Sequence, residues 1–98
     1  GFVGTEGFTP KPLIASFYRL LPTTDGFVTM IVVGDDEFKG ACDGLELPAL
    51  FHDPRFPTLA DRFARYEALF QEFEVGTRRL STAEVVRRMD ANGVPCAK

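Results

Sequence analysis

The dipeptide Asp25-Gly26 separates two apolar runs of the chain. Asp-Gly between such runs is the strongest short-range signal for a β-hairpin, because a type I′ turn needs a positive φ angle at both central residues. The preceding run, Leu13 to Leu21, is therefore predicted as the first strand, and Pro22 is predicted to end its ladder because proline has no N–H. The following run, Phe27 to Val33, is apolar on both faces, which predicts an inner strand covered on both sides.

A helical pattern begins directly after the second run. Asp35 or Asp36 is predicted to be the N-cap, and Gly44 stands where a left-handed C-terminal residue is wanted. The apolar residues recur at the spacing i, i+3, i+4 and i+7 of one helical face, namely Phe38, Ala41, Cys42 and Leu45. Pro48 then disfavours continuation of this helix, so the next residues are predicted to form at most a short turn.

Two further helices are predicted in the second half of the chain. The longer one begins at Thr58 and ends near Gly76, and the charged side chains between its apolar positions, Arg62 included, are predicted to lie in solvent. The other begins at Ser81 and ends at Gly93. The apolar stripe of the longer helix consists of Leu59, Phe63, Tyr66, Phe70 and Phe73, widened by Leu69.

A final strand is predicted from Val94 to Ala97, where it can join the hairpin. The predicted fold is therefore α+β, with an antiparallel β-hairpin and a C-terminal strand packed against about three helices in the order β-β-α-α-α-β. Residues 1–12 are predicted to be an irregular lead-in or a vector-derived segment, and residues 13–98 a single small domain. The chain begins with Gly1 rather than Met and ends at Lys98 directly after a strand-like segment, so we expect an excised domain or an engineered fragment.

Composition excludes several classes of function. A net charge of −3 with interspersed signs provides no electrostatic footprint for nucleic acid or for an acidic membrane. No apolar run approaches the roughly 20 residues that a membrane-spanning helix needs. The two cysteines in a chain that is 45% apolar do not indicate a disulfide scaffold, so we expect reduced thiols in the cytoplasm.

Motifs for phosphate or metal binding are missing from the sequence. There is no GxGxxG, GxxxxGK[ST], CxxC or HExxH pattern, so neither a phosphate cradle nor a metal site of those kinds is predicted. The single histidine, His52, lies in a proline-rich turn beside Asp53 and is predicted to be structural or exposed. Four arginines at positions 78, 79, 87 and 88 are predicted to form a solvated helix surface, with an anionic ligand or partner left open.

Asp35 and Cys96 are the candidate site residues. Asp35 opens an acidic trio with Asp36 and Glu37, and carboxylates at a helix start usually accept free backbone N–H groups. We favour that structural role for the latter two, whereas Asp35 closes a strand and can point off the sheet edge into a cleft. Free cysteine is usually a small buried hydrophobe, as expected for Cys42, and Cys96 lies near the end of the last strand.

Seven segments, taken in order, resemble one known family. This pattern is similar to that of the small domain of the class III CoA-transferases, the CaiB/BaiF family, and the resemblance covers roughly residues 15 to 97. Formyl-CoA transferase, carnitine CoA-transferase and α-methylacyl-CoA racemase belong to that family. The segments are Thr24-Asp25-Gly26, Gly34-Asp35-Asp36-Glu37-Phe38, Ala41-Cys42, Leu47-Pro48-Ala49-Leu50, Asp53-Pro54-Arg55-Phe56, Ser81-Thr82-Ala83-Glu84 and Gly93-Val94-Pro95-Cys96-Ala97.

The resemblance implies a two-domain enzyme whose subunits interlock as a homodimer. It places the CoA site and the catalytic Asp, or the His/Asp pair of the racemase, in a large domain, so this chain holds no catalytic residue and is expected to be inactive alone. The small domain is implied to cap the thioester end of the cleft, with Asp35 and Cys96 near the acyl-CoA substrate. No covalently bound cofactor is implied.

The reaction type stays open at this stage. The glycine-rich loop that transferases carry before the hairpin is not recognisable in Gly1 to Pro12, and Lys98 stands where many relatives have Pro, so CoA transfer and racemisation are both retained. Two other hypotheses are also retained. One is a free-standing α+β module that binds a partner protein through exposed Phe-rich surface, and the other is a small hydrolase or isomerase that uses Asp35 and His52.

Overall fold

The computed structural model describes residues 19–98. The predicted lead-in and most of the predicted first strand lie outside the described residues. The described part contains a three-stranded antiparallel sheet and five helices, which confirms the α+β class. Its strands are β1 (Leu20–Pro22), β2 (Phe27–Met30) and β3 (Cys96–Ala97), and its helices are α1 (Asp35–Gly44), α2 (Pro48–Phe51), α3 (Leu59–Ala64), α4 (Tyr66–Thr77) and α5 (Thr82–Ala91).

The sheet has the order β1-β2-β3, so β2 is the inner strand as predicted. Leu20 pairs with Thr29 across the hairpin, and Met30 pairs with Cys96 on the other side of β2. The covering of β2 differs from the prediction. Val28 and Met30 are fully buried, whereas Phe27 is 56% exposed, because the described helices pack on one face of the sheet.

The hairpin turn is present, but its predicted type is wrong. The turn closes with the Thr23 N–H donating to the Gly26 carbonyl at 2.8 Å. Among residues 19–98, positive φ angles occur at Glu46 and Gly93, whereas a type I′ turn needs them at both central positions. The Asp25 carboxylate instead accepts the N–H of Thr82, the first residue of α5, at 2.8 Å, so the turn is shaped by its contact with that helix.

The predicted starts at Thr58 and Ser81 are correct, whereas the single long helix predicted after Thr58 is divided in two. The Thr58 hydroxyl caps α3 and the Ser81 hydroxyl caps α5, each by accepting the N–H three residues later. The predicted long helix is divided at Arg65, whose φ and ψ angles of −117° and 39° are not helical. Helix α4 ends at Thr77, one residue beyond Gly76, near which the end was predicted.

Glycine serves two different purposes where helices end. Gly93 follows α5 with φ 74°, the left-handed conformation predicted there. Gly44 was predicted to adopt that conformation but is the last helical residue of α1, where an added Cβ would lie 2.5 Å from the Met89 side chain. The absence of a side chain at Gly44 therefore allows α1 and α5 to approach each other closely.

The core lies between the sheet and the helices. Its largest fully buried side chains come from every layer of the fold and include Leu21, Met30, Phe38, Phe56, Phe70, Phe73 and Met89. No helix among residues 19–98 is long and apolar enough to cross a membrane.

Candidate functional site

Asp35 is the first residue of α1 and lies just beyond the sheet. The N-cap of α1 is Gly34, which corrects the prediction that Asp35 or Asp36 holds that position. Glu37 accepts the backbone N–H groups of Val33 and Gly34 through Oε1, at 2.8 and 3.1 Å. Because Glu37 satisfies the backbone at this helix start, the Asp35 carboxylate is available for a tertiary contact.

That contact is with Arg62, which was predicted to lie in solvent. The Arg62 side chain is only 5% exposed, whereas that of Asp35 is 85% exposed. The guanidinium donates from Nη2 to Asp35 Oδ1 and from Nη1 to the Phe56 carbonyl at 3.3 Å, and its Cζ lies 4.6 Å from the centroid of the Phe38 ring. A buried charge is tolerated when it is paired in this way, so the ion pair joins α3 to the start of α1.

A cavity of 280 Å³ lies beside this ion pair. Asp35, its neighbour Asp36 and Arg62 line it together with three aromatic rings, those of Phe38, Phe51 and Phe56. One carboxylate oxygen of Asp35 faces Arg62, and the exposed remainder of the group can accept hydrogen bonds or oppose positive charge. We refer to Asp35, Arg62, Phe38 and Phe56 as the Arg62–Asp35 junction.

Cys96 lies in a different part of the molecule's surface. It sits on β3 opposite Met30, is partly buried against the core, and lines a separate cavity of 560 Å³ with Val86 and Arg87. Burial raises the pKa of the Cys96 thiol to about 11, so the thiol is neutral at physiological pH. Neither described cavity contains both Asp35 and Cys96.

The other predicted polar candidates have structural surroundings. Cys42 is buried in the core as predicted, and burial raises the pKa of its thiol to about 12. Both cysteines are free thiols. His52 is exposed, with its ring 5.2 Å from that of Phe51 in an edge-on arrangement, and it does not line the cavity of Asp35. Within residues 19–98, no cluster of three or more His, Cys, Asp and Glu residues is arranged to hold a metal ion.

Part of the predicted arginine surface stabilises a helix end. Arg88 donates to the Gly44 carbonyl and Arg79 to the Leu45 carbonyl, both at 3.1 Å, so two side chains satisfy carbonyls where α1 ends. Arg87 and Arg88 also donate to Glu84 and lower the pKa of its carboxyl to about 2. Arg79, Arg87 and Arg88 therefore have hydrogen-bond partners within the described part of the chain.

The segment Asp53-Pro54-Arg55-Phe56 is a structural clamp. Asp53 accepts the Arg55 backbone N–H at 2.8 Å and the guanidinium at 2.9 Å, and Arg55 also reaches Glu72 of α4 at 3.1 Å. The Arg55 guanidinium lies 4.8 Å from the centroid of the Phe56 ring, which is buried in the core. We call Asp53, Arg55 and Glu72 the Arg55 clamp.

The geometry thus defines an α+β domain in which a buried arginine holds an exposed carboxylate at one end of the sheet. The family model described as CoA-transferase family III matches residues 5–98. The chain therefore belongs to CoA-transferase family III, as the sequence predicted. The matched range begins inside the segment predicted as a lead-in.

Individual relatives agree with this assignment. The chain is 28% identical over 78 residues to a succinate–glutarate CoA-transferase of Agrobacterium fabrum, covering 80% of this chain and 20% of that protein. It superposes on a CaiB/BaiF family protein from Brucella suis with a TM-score of 0.76 at 26% identity, over 83% of this chain and 21% of the other. The fold also matches Rv3272 from M. tuberculosis, with a TM-score of 0.75 at 24% identity over 82% and 23% of the two chains. The chain thus spans about a fifth of the length of these proteins.

Proposed function

We propose that this chain is the small domain of a family III CoA-transferase and caps the thioester end of a cleft formed with a large domain. The family match over residues 5–98 supports the assignment to this enzyme class. The chain matches only about a fifth of the length of its relatives, which supports a large domain elsewhere in the polypeptide. Because a single domain cannot enclose such a cleft, the 98-residue chain is expected to be inactive alone.

The observation that carries the proposal is the exposed carboxylate of Asp35. A side chain that is 85% exposed yet held by a buried arginine is available to a ligand in a defined position. Carboxylates so placed accept hydrogen bonds from hydroxyl or amide groups of a substrate. We propose that Asp35 faces the acyl-CoA thioester, whereas the catalytic carboxylate belongs to the large domain.

The face of the sheet that the described helices leave open supports contact with another part of the enzyme. Leu20 and Phe27, on β1 and β2, are 64% and 56% exposed, and large exposed apolar groups of this kind often mark interaction surfaces. We propose that the large domain, of the same subunit or of the second subunit in an interlocked homodimer, covers this face.

We propose that Cys96 is a neutral wall of a second part of the substrate cleft, apart from the cavity of Asp35. Its thiol, with a pKa raised to about 11 by burial, is a poor nucleophile at neutral pH. The adjacent 560 Å³ cavity leaves room for part of a ligand or for a segment of the large domain. The two free thiols are compatible with a reducing compartment, and we propose the cytoplasm.

The proposed reaction is transfer of CoA between carboxylic acids, with an acyl-CoA thioester as substrate and no covalently bound cofactor. Transfer is preferred to racemisation because the curated relative named above is a CoA-transferase. Succinyl-CoA and glutarate are therefore suitable first probes. Epimerisation of an α-methylacyl-CoA is the alternative reaction within the same family.

The proposal is tested with the native polypeptide that carries this sequence. Its mass is measured first, and formation of glutaryl-CoA from succinyl-CoA and glutarate is then followed by mass spectrometry, with the 98-residue chain as the matched control. A polypeptide of several times this length that transfers CoA, beside an inactive 98-residue chain, supports the proposal. Epimerisation without transfer would contradict the reaction, and a native chain of about this length would contradict the cleft-capping role and favour a free-standing interaction module.

A further inference from the structure

We propose that Arg62 is a positioning residue of the substrate site, which fixes the direction in which Asp35 presents its carboxylate. The inference rests on the proposed function, in which Asp35 faces the thioester. The Arg62 side chain is 5% exposed, so we infer that it acts on the substrate chiefly through Asp35, although it also lines the cavity. Its role is therefore to reduce the number of orientations that Asp35 samples before a substrate binds.

Arg62 is fixed by its surroundings. The side chain is 5% exposed, its Nη1 donates to the Phe56 carbonyl at 3.3 Å, and its Cζ lies 4.6 Å from the Phe38 ring centroid. A planar guanidinium can stack on a ring and donate to two acceptors at the same time, whereas a lysine ammonium has no plane. The direction of the Nη2 donor is consequently set by the core.

Asp35 has little else to hold it. Its side chain is 85% exposed at the first position of α1, and within the described residues its carboxylate makes this one ion pair. The backbone beneath it is fixed, because Glu37 holds the N–H groups of Val33 and Gly34. Loss of Arg62 would therefore let the Asp35 carboxylate rotate while the start of α1 stays in place. A carboxylate that is less well oriented towards the substrate lowers turnover.

The difference in burial makes this pair directional. A fully exposed ion pair fixes neither side chain, because water competes for both. Here only one partner is exposed, so the buried one acts as the fixed point. Asp36, the next residue, is also exposed and has no described ion pair, which makes it the matched comparison within the same turn.

The test is a double-mutant cycle in the full-length enzyme with Asp35→Asn, Arg62→Met and the double variant, measured as kcat and KM for CoA transfer. We expect each single variant to lower kcat by about tenfold to a hundredfold with a smaller change in KM. The double variant is expected to be no slower than Asp35→Asn, because both substitutions remove the same positioned carboxylate. Arg65→Met, on an exposed arginine near by, is expected to retain wild-type kinetics.

A rescue experiment separates positioning from folding. In Arg62→Ala, ethylguanidinium at millimolar concentration is expected to restore part of kcat, and it is expected to restore none in Arg62→Ala/Asp35→Asn. Arg62→Lys keeps the charge but loses the planar guanidinium, so its kcat is expected to lie between those of the wild type and Arg62→Met. If Arg62→Met does not fold, Arg62→Lys replaces it in the double-mutant cycle.

Three results would overturn the inference. If the losses of kcat in the two single variants multiply in the double variant, Arg62 acts through the fold and not through Asp35. Equal rescue by ethylguanidinium in Arg62→Ala and in Arg62→Ala/Asp35→Asn would lead to the same conclusion. Wild-type kcat in the Arg62 variants beside a slow Asp35→Asn would leave the proposed function standing and refute the positioning role. Wild-type kinetics of Asp35→Asn would refute both, because Asp35 would then lie outside the site.

Discussion

Two arginines in this domain have similar partners but opposite exposure. Arg55 and Arg62 each place the guanidinium over a phenylalanine ring, at 4.8 and 4.6 Å, and each pairs with an aspartate. The Arg55 side chain is 44% exposed, whereas that of Arg62 is 5% exposed. Arg55 ties a surface loop to a helix, whereas Arg62 fixes a carboxylate beside a cavity.

The difference follows from what could replace each contact. Arg55 has two carboxylate partners, Asp53 and Glu72, and water can solvate any of the three if one contact breaks. Arg62 has one carboxylate partner, and its stem and ring contact are enclosed by the core. The motif around Arg55 therefore holds a loop against a helix, whereas the Arg62–Asp35 junction, which the sequence did not reveal, holds an exposed carboxylate beside a cavity.

The largest expected effect is on stability after Arg62→Ala. The substitution removes the buried stem, the contact with the Phe38 ring and the donor to the Phe56 carbonyl, so we expect the free energy of unfolding to fall by about 2 to 4 kcal/mol. Urea-induced unfolding of the 98-residue chain, followed by circular dichroism, measures this change. Arg65→Ala is the exposed control, and a loss no greater than that of the control would show that the burial of Arg62 contributes little.

A smaller effect is expected for Arg55→Ala. The Asp53 carboxylate keeps its bond from the backbone N–H of residue 55, and water replaces the guanidinium, so the loss should be at most about a third of that for Arg62→Ala. The same unfolding measurement checks this ratio. A loss equal to that of Arg62→Ala would contradict the distinction between the two arginines.

The contribution of the Arg55 clamp should depend on pH. Side-chain and backbone hydrogen bonds from Arg55 lower the pKa of Asp53 below its ordinary value of 3.8. A lowered pKa stabilises the fold above pH 3.8, and this contribution is lost as the pH falls through the folded pKa. The stability difference between the wild type and Arg55→Ala should therefore narrow as the pH falls below 3.8 towards the folded pKa of Asp53. A constant or widening difference in urea unfolding would contradict the assigned cause.

The smallest expected effect is that of salt. Exposed charges are screened more strongly than buried ones, and the screening length falls to about 3 Å at 1 M salt. The stability difference due to Arg55→Ala should shrink in 1 M NaCl, whereas that due to Arg62→Ala should be retained. Equal shrinkage of both differences would indicate that water reaches the Arg62 guanidinium.

Much of the fold could be predicted because its signals are local. Apolar runs around Asp25-Gly26 gave the hairpin and the inner strand, and the hydroxyls of Thr58 and Ser81 gave two helix starts. The turn type was wrong because the Asp25 carboxylate accepts the Thr82 N–H, a contact across 57 positions of sequence. The division of the long helix at Arg65 was missed because no Gly or Pro marks it.

The site could be predicted only in part. Asp35 was selected as a candidate because it follows the second apolar run, and its place in a substrate site stays a prediction. Arg62 was assigned to solvent because charged side chains usually lie off the apolar stripe of a helix. The sequence did contain a helical pattern that includes the arginine. The spacing of four, three and four residues joins Arg62, Tyr66, Leu69 and Phe73, and all four are buried. An arginine in such a stripe requires a partner, but only the fold shows that the partner is Asp35.

The central claim is that Asp35, and not its neighbour Asp36, faces the thioester substrate. The most direct test compares Asp35→Asn with Asp36→Asn in the full-length enzyme, by initial rates of CoA transfer over a range of acyl-CoA concentrations. We expect Asp35→Asn to lower kcat/KM by about tenfold or more and Asp36→Asn to stay within about twofold of the wild type. Equal and negligible effects of the two substitutions would contradict it.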